Sequence, residues 1–220
     1  NNSNEKTVFE TVKMRWDGLQ LLKQNLGEKN IAYKGYGGTE WFSSKYDYET
    51  NLDKIKYLNK SIDETIGLKD TFKSSSNFVK DKIYGAIKNK HEGQLDTALM
   101  MNQMLNLVRS LGVEILNNVD VLNICSTKNA VQLKTSIGDF NCLKCVVAVN
   151  GFASYLLNKF DVKPARAQVL ITKPINNLKL KGAFHFDKGY YYFRNIDNRV
   201  LLGGARNLDF ETESTDKFEL

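Results

Sequence analysis

Apolar residues recur at three- and four-residue steps through the first 26 positions, at Phe9, Val12, Trp16, Leu19, Leu22 and Leu26. That spacing predicts an amphipathic helix, capped by Ser3 or Asn4 and stopped at Gly27. Ile31-Ala32-Tyr33, then Gly35-Tyr36-Gly37-Gly38, then Thr39-Glu40-Trp41-Phe42 reads as strand, glycine turn, strand. Leu52, Ile55, Leu58 and Ile62 form one stripe of a second helix from Tyr48 to about Ile66. Thr71–Lys82 is rich in Ser and Lys and reads as a loop, and Ile83–Ile87 as a short strand. Asp96 or Thr97 caps a third helix, whose apolar face includes Met101, Met104, Leu105 and Val108, ending at Gly112.

The periodicity then changes from helical to alternating. Val113–Leu116, Val119–Ile124, Val131–Ser136 and Phe140–Val149 read as strands, with Gly138-Asp139 as a hairpin signal. Phe152–Phe160 reads as a short helix. Gln168–Thr172, Gly182–Phe186, Tyr190–Arg194 and Val200–Ala205 form a second strand group of antiparallel style. The fold class expected is α+β.

Composition adds bounds rather than identity. Hydrophobic residues make up 42% and charged residues 25%, an ordinary globular balance. No apolar run approaches the ~18 residues of a membrane-spanning helix, and Asn1–Lys6 lacks the apolar core of a signal peptide. The net charge of +6 comes from lysines interleaved with acids, as in Asp53-Lys54-Ile55-Lys56, which reads as solvated surface. Cys142-Leu143-Lys144-Cys145 is formally a C-x-x-C. A second ligand pair for zinc is missing from the sequence, so two buried strand cysteines are the simpler reading. Free cysteines point to a reducing, cytoplasmic compartment.

A dinucleotide fingerprint requires G-x-G-x-x-G between strand and helix. Gly35-Tyr36-Gly37-Gly38 begins that way, but Glu40 stands at the third glycine and a strand follows. There is no G-x-S-x-G, and neither His91 nor His185 has an evident nucleophile partner. Gly189-Tyr190-Tyr191-Tyr192-Phe193-Arg194 could serve a nucleic-acid platform. Tyr190 and Tyr192 share one face, however, and Tyr191 and Phe193 the other, which suits a buried sheet strand better.

Two segments in order, His91-Glu92-Gly93-Gln94-Leu95-Asp96 and Val146–Ser154 followed by Lys163–Leu170, resemble the middle of the FAD-dependent amine oxidases of the D-amino-acid-oxidase, glycine-oxidase and sarcosine-oxidase type. The resemblance covers most of the chain and is strongest from His91 to Ala205. It implies an antiparallel-sheet substrate domain with helices in residues 1–90 and 155–220, interleaved with part of a Rossmann-like FAD-binding domain in 91–154. It implies non-covalent FAD lying along Val121, Ala148, Val149, Asn150 and Gly151. The family usually has a small residue where Asn150 stands, and Gly where Ala167 stands. It implies substrate contacts from His185, Tyr190 and Arg194, although an ordinary strand-pairing role is the simpler reading of Arg194. The expected substrate is a small amino acid or N-substituted amino acid, with a 2-hydroxy acid as alternative. No protein acid or base is required when the amine arrives neutral, so no catalytic residue is assigned. Without a pyrophosphate loop these 220 residues alone are expected to retain FAD poorly.

Overall fold

Three helices form where the apolar stripes place them. The computed structural model describes residues 2–75, 82–157 and 161–217. Helix α1 spans Asn2–Leu26, α2 Lys45–Ile66 and α3 Thr97–Ser110. Helix α2 starts three residues before Tyr48 because the Ser44 hydroxyl accepts the Asp47 N–H at 3.2 Å. It ends at Gly67, whose φ of 71° only glycine adopts cheaply. The Asp96 carboxylate caps α3 through the Leu99 N–H at 2.9 Å. Lys6–Glu10, Lys13–Asp17, Lys45–Glu49 and Lys60–Glu64 pair one turn apart along α1 and α2. These exposed pairs account for much of the interleaved charge as solvated helix surface.

The chain divides into two compact units. The first comprises Asn1–Leu111 with Val169–Ala205, the second Gly112–Gln168 with Arg206–Leu220. These cuts differ from those expected at 90 and 154. Helix α3 packs on α1 in the first unit, while residues 161–168 belong to the second, where the Arg166 N–H donates to the Glu213 carbonyl.

The first unit is built on a seven-stranded sheet. Its strands are β1 (Gly38–Phe42), β2 (Phe72–Ser75), β3 (Gly85–Asn89), β7 (Gln168–Ile171), β8 (Ala183–Phe186), β9 (Tyr191–Ile196) and β10 (Arg199–Gly204). Their spatial order is β2-β3-β1-β8-β9-β10-β7. Neighbours β8–β9 and β9–β10 run antiparallel, as expected of the second strand group, and β2–β3 and β3–β1 are antiparallel too, but β1 and β8 pair in parallel. Parallel neighbours need a long crossover, here everything between Phe42 and Ala183. Helix α2 packs on β1, β2 and β3. Leu26, Ile31, Ile62, Ile83, Ala86, Ile87 and Phe184 form the buried core.

Three sequence expectations fail in this unit. Helix α1 begins at Asn2, so Ser3 and Asn4 lie within it rather than capping it. Ile31–Tyr33 is not a strand: Gly27 and Ala32 take φ of 80° and 49°, the segment turns, and Ile31 is buried as a plug. Phe72–Ser75, expected as loop, pairs with β3 because Phe72 is held by Asn59, whose side chain bonds both the N–H and the carbonyl of Phe72. The rest of that expected loop, 76–81, lies outside the described residues.

The second unit carries a three-stranded meander of β4 (Val121–Ser126), β5 (Val131–Thr135) and β6 (Gly138–Cys142). The β5–β6 turn is Ser136-Ile137, two residues before the expected Gly138-Asp139, and Thr135 and Gly138 pair across it. Val113–Leu116 and residues 143–149 are not strands. A short 3₁₀ turn, Asn150–Phe152, leads into α4, Ala153–Leu156, which packs on β4. The end of the expected helix at 158–160 lies outside the described residues.

Candidate functional site

Strand register decides which side chains share a face, because successive residues alternate. Glu40, His185, Tyr192 and Gly203 form one row across β1, β8, β9 and β10. Gly38, Ala183, Arg194 and Leu201 form the next row on the same face. The opposite face carries Trp41, Phe186 and Tyr191 in one row and Phe184, Phe193 and Leu202 in another.

Between α2 and the first face lies a cavity of about 430 Å³. One wall is apolar, from Ile55 and Leu58 of α2, Phe72 of β2 and Ile87 of β3. The other end is charged, from Glu40, Glu92 and His185, with Lys188 also on the lining. His185 Nε2 lies 4.0 Å from Glu92 Oε2, and Asn89 Nδ2 donates to Glu92 Oε1 at 3.0 Å. A Cβ on Gly38 would overlap the Glu92 carboxylate, so the glycine makes room for that acid. Burial raises the pKa of Glu40; nearby His185 opposes the shift and Glu92 adds to it.

The three expected substrate residues lie in different surroundings among the described cavities. His185 lines the cavity under α2. Arg194 lines a separate cavity of about 540 Å³ with Lys34, Gln94 and Asp96, and its Nη1 donates to the Leu95 carbonyl at 3.0 Å. Tyr190 lies just before β9, half exposed, with its N–H bonded to the Asp187 carbonyl at 3.0 Å. On the opposite face Phe184 stacks on Phe193 with ring centroids 5.0 Å apart, and Trp41 meets Phe193 edge-on at 5.0 Å. Strand β9 is half-buried along its whole length rather than buried. Glu40, Glu92 and Lys188 line this region without having been assigned a site role from the sequence. The signal present in the sequence was a carboxylate beside the apolar pair Trp41-Phe42.

His91 is not part of this cluster. It meets Trp16 edge-on at 6.0 Å, and burial lowers its pKa.

The residues expected to meet FAD all lie in the second unit. Val121 opens β4 beside a register shift and is exposed. Ala148 and Val149 precede the 3₁₀ turn, and Asn150 takes a φ of 49°. Because α4 packs on β4, the turn that leads into α4 and the strand bearing Val121 belong to neighbouring elements. Val121 and Asn150 are both exposed. Gly151 has a structural reason of its own: a Cβ there would lie 2.9 Å from Pro164 Cα.

Downstream of Pro164 the unit is clasped by Glu213, only 8% exposed. Arg166 Nε donates to Glu213 Oε2 at 2.9 Å, Gln168 Nε2 to Oε1 at 2.8 Å, and the Arg166 N–H to the Glu213 carbonyl at 3.0 Å. The bond from Arg166, then that from Gln168, holds the Glu213 carboxyl below its ordinary value of 4.5. A depressed carboxyl stabilises the fold above its unfolded pKa, and the gain is lost as pH falls through the folded value. Denaturant midpoints measured from pH 6 down to pH 3 should therefore fall more steeply for the native protein than for Glu213→Gln. Parallel curves would show that the clasp carries no proton-linked stability.

Cys125, Cys142 and Cys145 are free. Cys125 and Cys142 lie in strands while Cys145 does not, and Cys142 and Cys145 are half-buried, not buried as expected, because the chain leaves the meander after β6. No group of His, Cys, Asp or Glu among the described residues could hold a metal ion. No helix among them is long and apolar enough to cross a membrane.

Comparison with known proteins places this architecture. The family model for FAD-dependent oxidoreductases of the DAO type matches residues 6–219. L-proline dehydrogenase from P. horikoshii superposes with a TM-score of 0.69 at 18% identity, over 83% of this chain and 52% of that one. Glycine oxidase from Bacillus cereus ATCC 14579 gives 0.65 at 17% identity, over 89% and 56%. Iminodiacetate oxidase from Chelativorans sp. BNC1 gives 0.65 at 17% identity, over 90% and 56%. The chain thus spans about half the length of these structures. No curated protein sequence matched. At these identities the superpositions speak for the fold, and the match over residues 6–219 shows that the chain belongs to the DAO family of FAD-dependent oxidoreductases.

Proposed function

We propose that the protein oxidises a small amino acid or N-substituted amino acid, passing hydride from the carbon bearing nitrogen to non-covalently bound FAD. The observation that carries this reading is the family match along almost the whole chain. The names of the superposed structures, a proline dehydrogenase, a glycine oxidase and an iminodiacetate oxidase, support an amino-acid substrate over a 2-hydroxy acid. FAD supplies the electron sink, while the protein binds, orients and shields the substrate. In this reading Val121 and the Ala148–Gly151 turn lie along the cofactor.

Arg194 is the proposed partner for a substrate carboxylate. Nη1 is engaged by Leu95, which leaves further N–H groups on the planar guanidinium. His185 and Tyr190 are proposed as lining groups. The three free cysteines suit a reducing compartment.

The test uses the full-length protein loaded with FAD, with anaerobic flavin bleaching over a panel of amino acids. Arg194→Ala should weaken substrate binding by about tenfold or more, since a charge-assisted hydrogen bond contributes ~1.5–3 kcal/mol. If Arg194→Ala and His185→Ala both leave binding and flavin reduction unchanged, the site assignment fails. Acid precipitation should release the flavin into the supernatant if attachment is non-covalent. The 220 residues by themselves should carry little flavin, because they contain no G-x-G-x-x-G loop to bind a pyrophosphate. Stoichiometric flavin on that chain would overturn the last expectation.

A further inference from the structure

We propose that the cavity between α2 and the sheet binds a small organic ammonium ion carrying an apolar body. The inference shares His185 with the substrate reading, but its deciding groups, Glu40, Glu92 and the apolar wall, are not used there, all lie in the first unit, and its test needs no flavin.

The chemistry follows from the walls. Ile55, Leu58, Phe72 and Ile87 offer one apolar side, and Glu40 and Glu92 stand at the charged end beside His185. The cavity, about 430 Å³, falls in the range of small-ligand pockets. Glu40 is a half-buried carboxylate on an interior strand of the sheet. Among the described residues no hydrogen bond or ion pair engages it; it feels only the fields of His185 and Glu92. Glu92 has Asn89 on one oxygen and the imidazole 4.0 Å from the other. Lys188 reaches the lining, yet forms no ion pair with either acid within 4.0 Å. Two carboxylates therefore stand beside one imidazole, the only cationisable side chain among the described residues that an ion-pair distance links to either of them.

An ammonium group meets this deficit with three donors and a positive charge, while its hydrocarbon body takes the apolar wall. A carboxylate ligand would face like charge. A metal ion is a poor occupant, because no described cluster offers three ligating groups in range. Gly38 is what admits the Glu92 carboxylate to the cavity, since any side chain there would displace it.

The experiment is a calorimetric titration of the purified protein with hexylammonium, hexanol and hexanoate. Hexylammonium should bind saturably and about tenfold more tightly than hexanol, a difference that one compensated charge supplies. Hexanoate should not bind. Glu40→Gln should weaken hexylammonium about tenfold and leave hexanol unchanged. Leu58→Trp, which fills the apolar wall, should weaken both, with circular dichroism confirming that each variant is folded. Equal binding of the amine and the alcohol, an unaffected Glu40→Gln, or no saturable binding of hexylammonium would each overturn the proposal.

Discussion

Phe184→Ala should cost about 3–5 kcal/mol of folding stability, the usual range for emptying a buried phenylalanine site. Phe184 is 1% exposed and is the largest fully buried side chain on the sheet. It sits on β8 opposite Thr39 of β1 and Phe193 of β9, so it spans the parallel β1–β8 junction and the antiparallel ladder beside it. Its ring lies 5.0 Å from Phe193 at 5° and 5.3 Å from Trp41 at 60°. Removing it forfeits burial together with two aromatic contacts, each worth ~0.5–1.5 kcal/mol beyond area. The neighbouring half-buried Phe186 should cost visibly less. Urea midpoints for the two variants decide the matter. A Phe184→Ala cost below about 1.5 kcal/mol would mean that the sheet closes over the gap.

Gly204→Ala should destabilise by about 3 kcal/mol or more, from backbone strain plus collision. Gly204 takes a φ of 129°, where side chains are rarely tolerated. A Cβ there would overlap the Tyr190 carbonyl oxygen and lie 2.9 Å from Tyr191 Cα, and neither is a flexible side-chain tip. The strand end would have to move away from β9, to which Gly204 is paired through Tyr191. Gly18 is the contrasting case. It lies within α1, and a Cβ added there would meet nothing within 4 Å. Gly18→Ala should therefore stabilise by ~0.5–1 kcal/mol through helix propensity. If both substitutions shift the denaturation midpoint in the same direction, local geometry is not what sets their sign.

The amino-acid sequence by itself determined the three long helices and the strand group from Gly182 to Ala205. The apolar stripes of α1, α2 and α3 and the cap at Asp96 are interactions over one or two turns, so neighbouring residues suffice to specify them. The alternation in Tyr190–Arg194 likewise placed Tyr191 and Phe193 on one face before any partner strand was known. Family-specific order among His91–Asp96 and Val146–Leu170 reached the flavoprotein family, because those residues are constrained together by one architecture.

Only the tertiary structure decided which strands meet. The parallel pairing of Gly38–Trp41 with Ala183–Phe186 joins distant segments and leaves no short-range signature. From that pairing come the row Glu40–His185–Tyr192, the face that α2 covers, and the convergence of Glu40 with Glu92 across the cavity. His185 and Arg194, close in sequence, line different described cavities, with Arg194 bonded to the Leu95 carbonyl, and Tyr190 is held in the turn before β9. Local pattern sets the face of a residue within its own strand, but the neighbour across the ladder is chosen by the global balance of burial and hydrogen bonding, which no single segment contains.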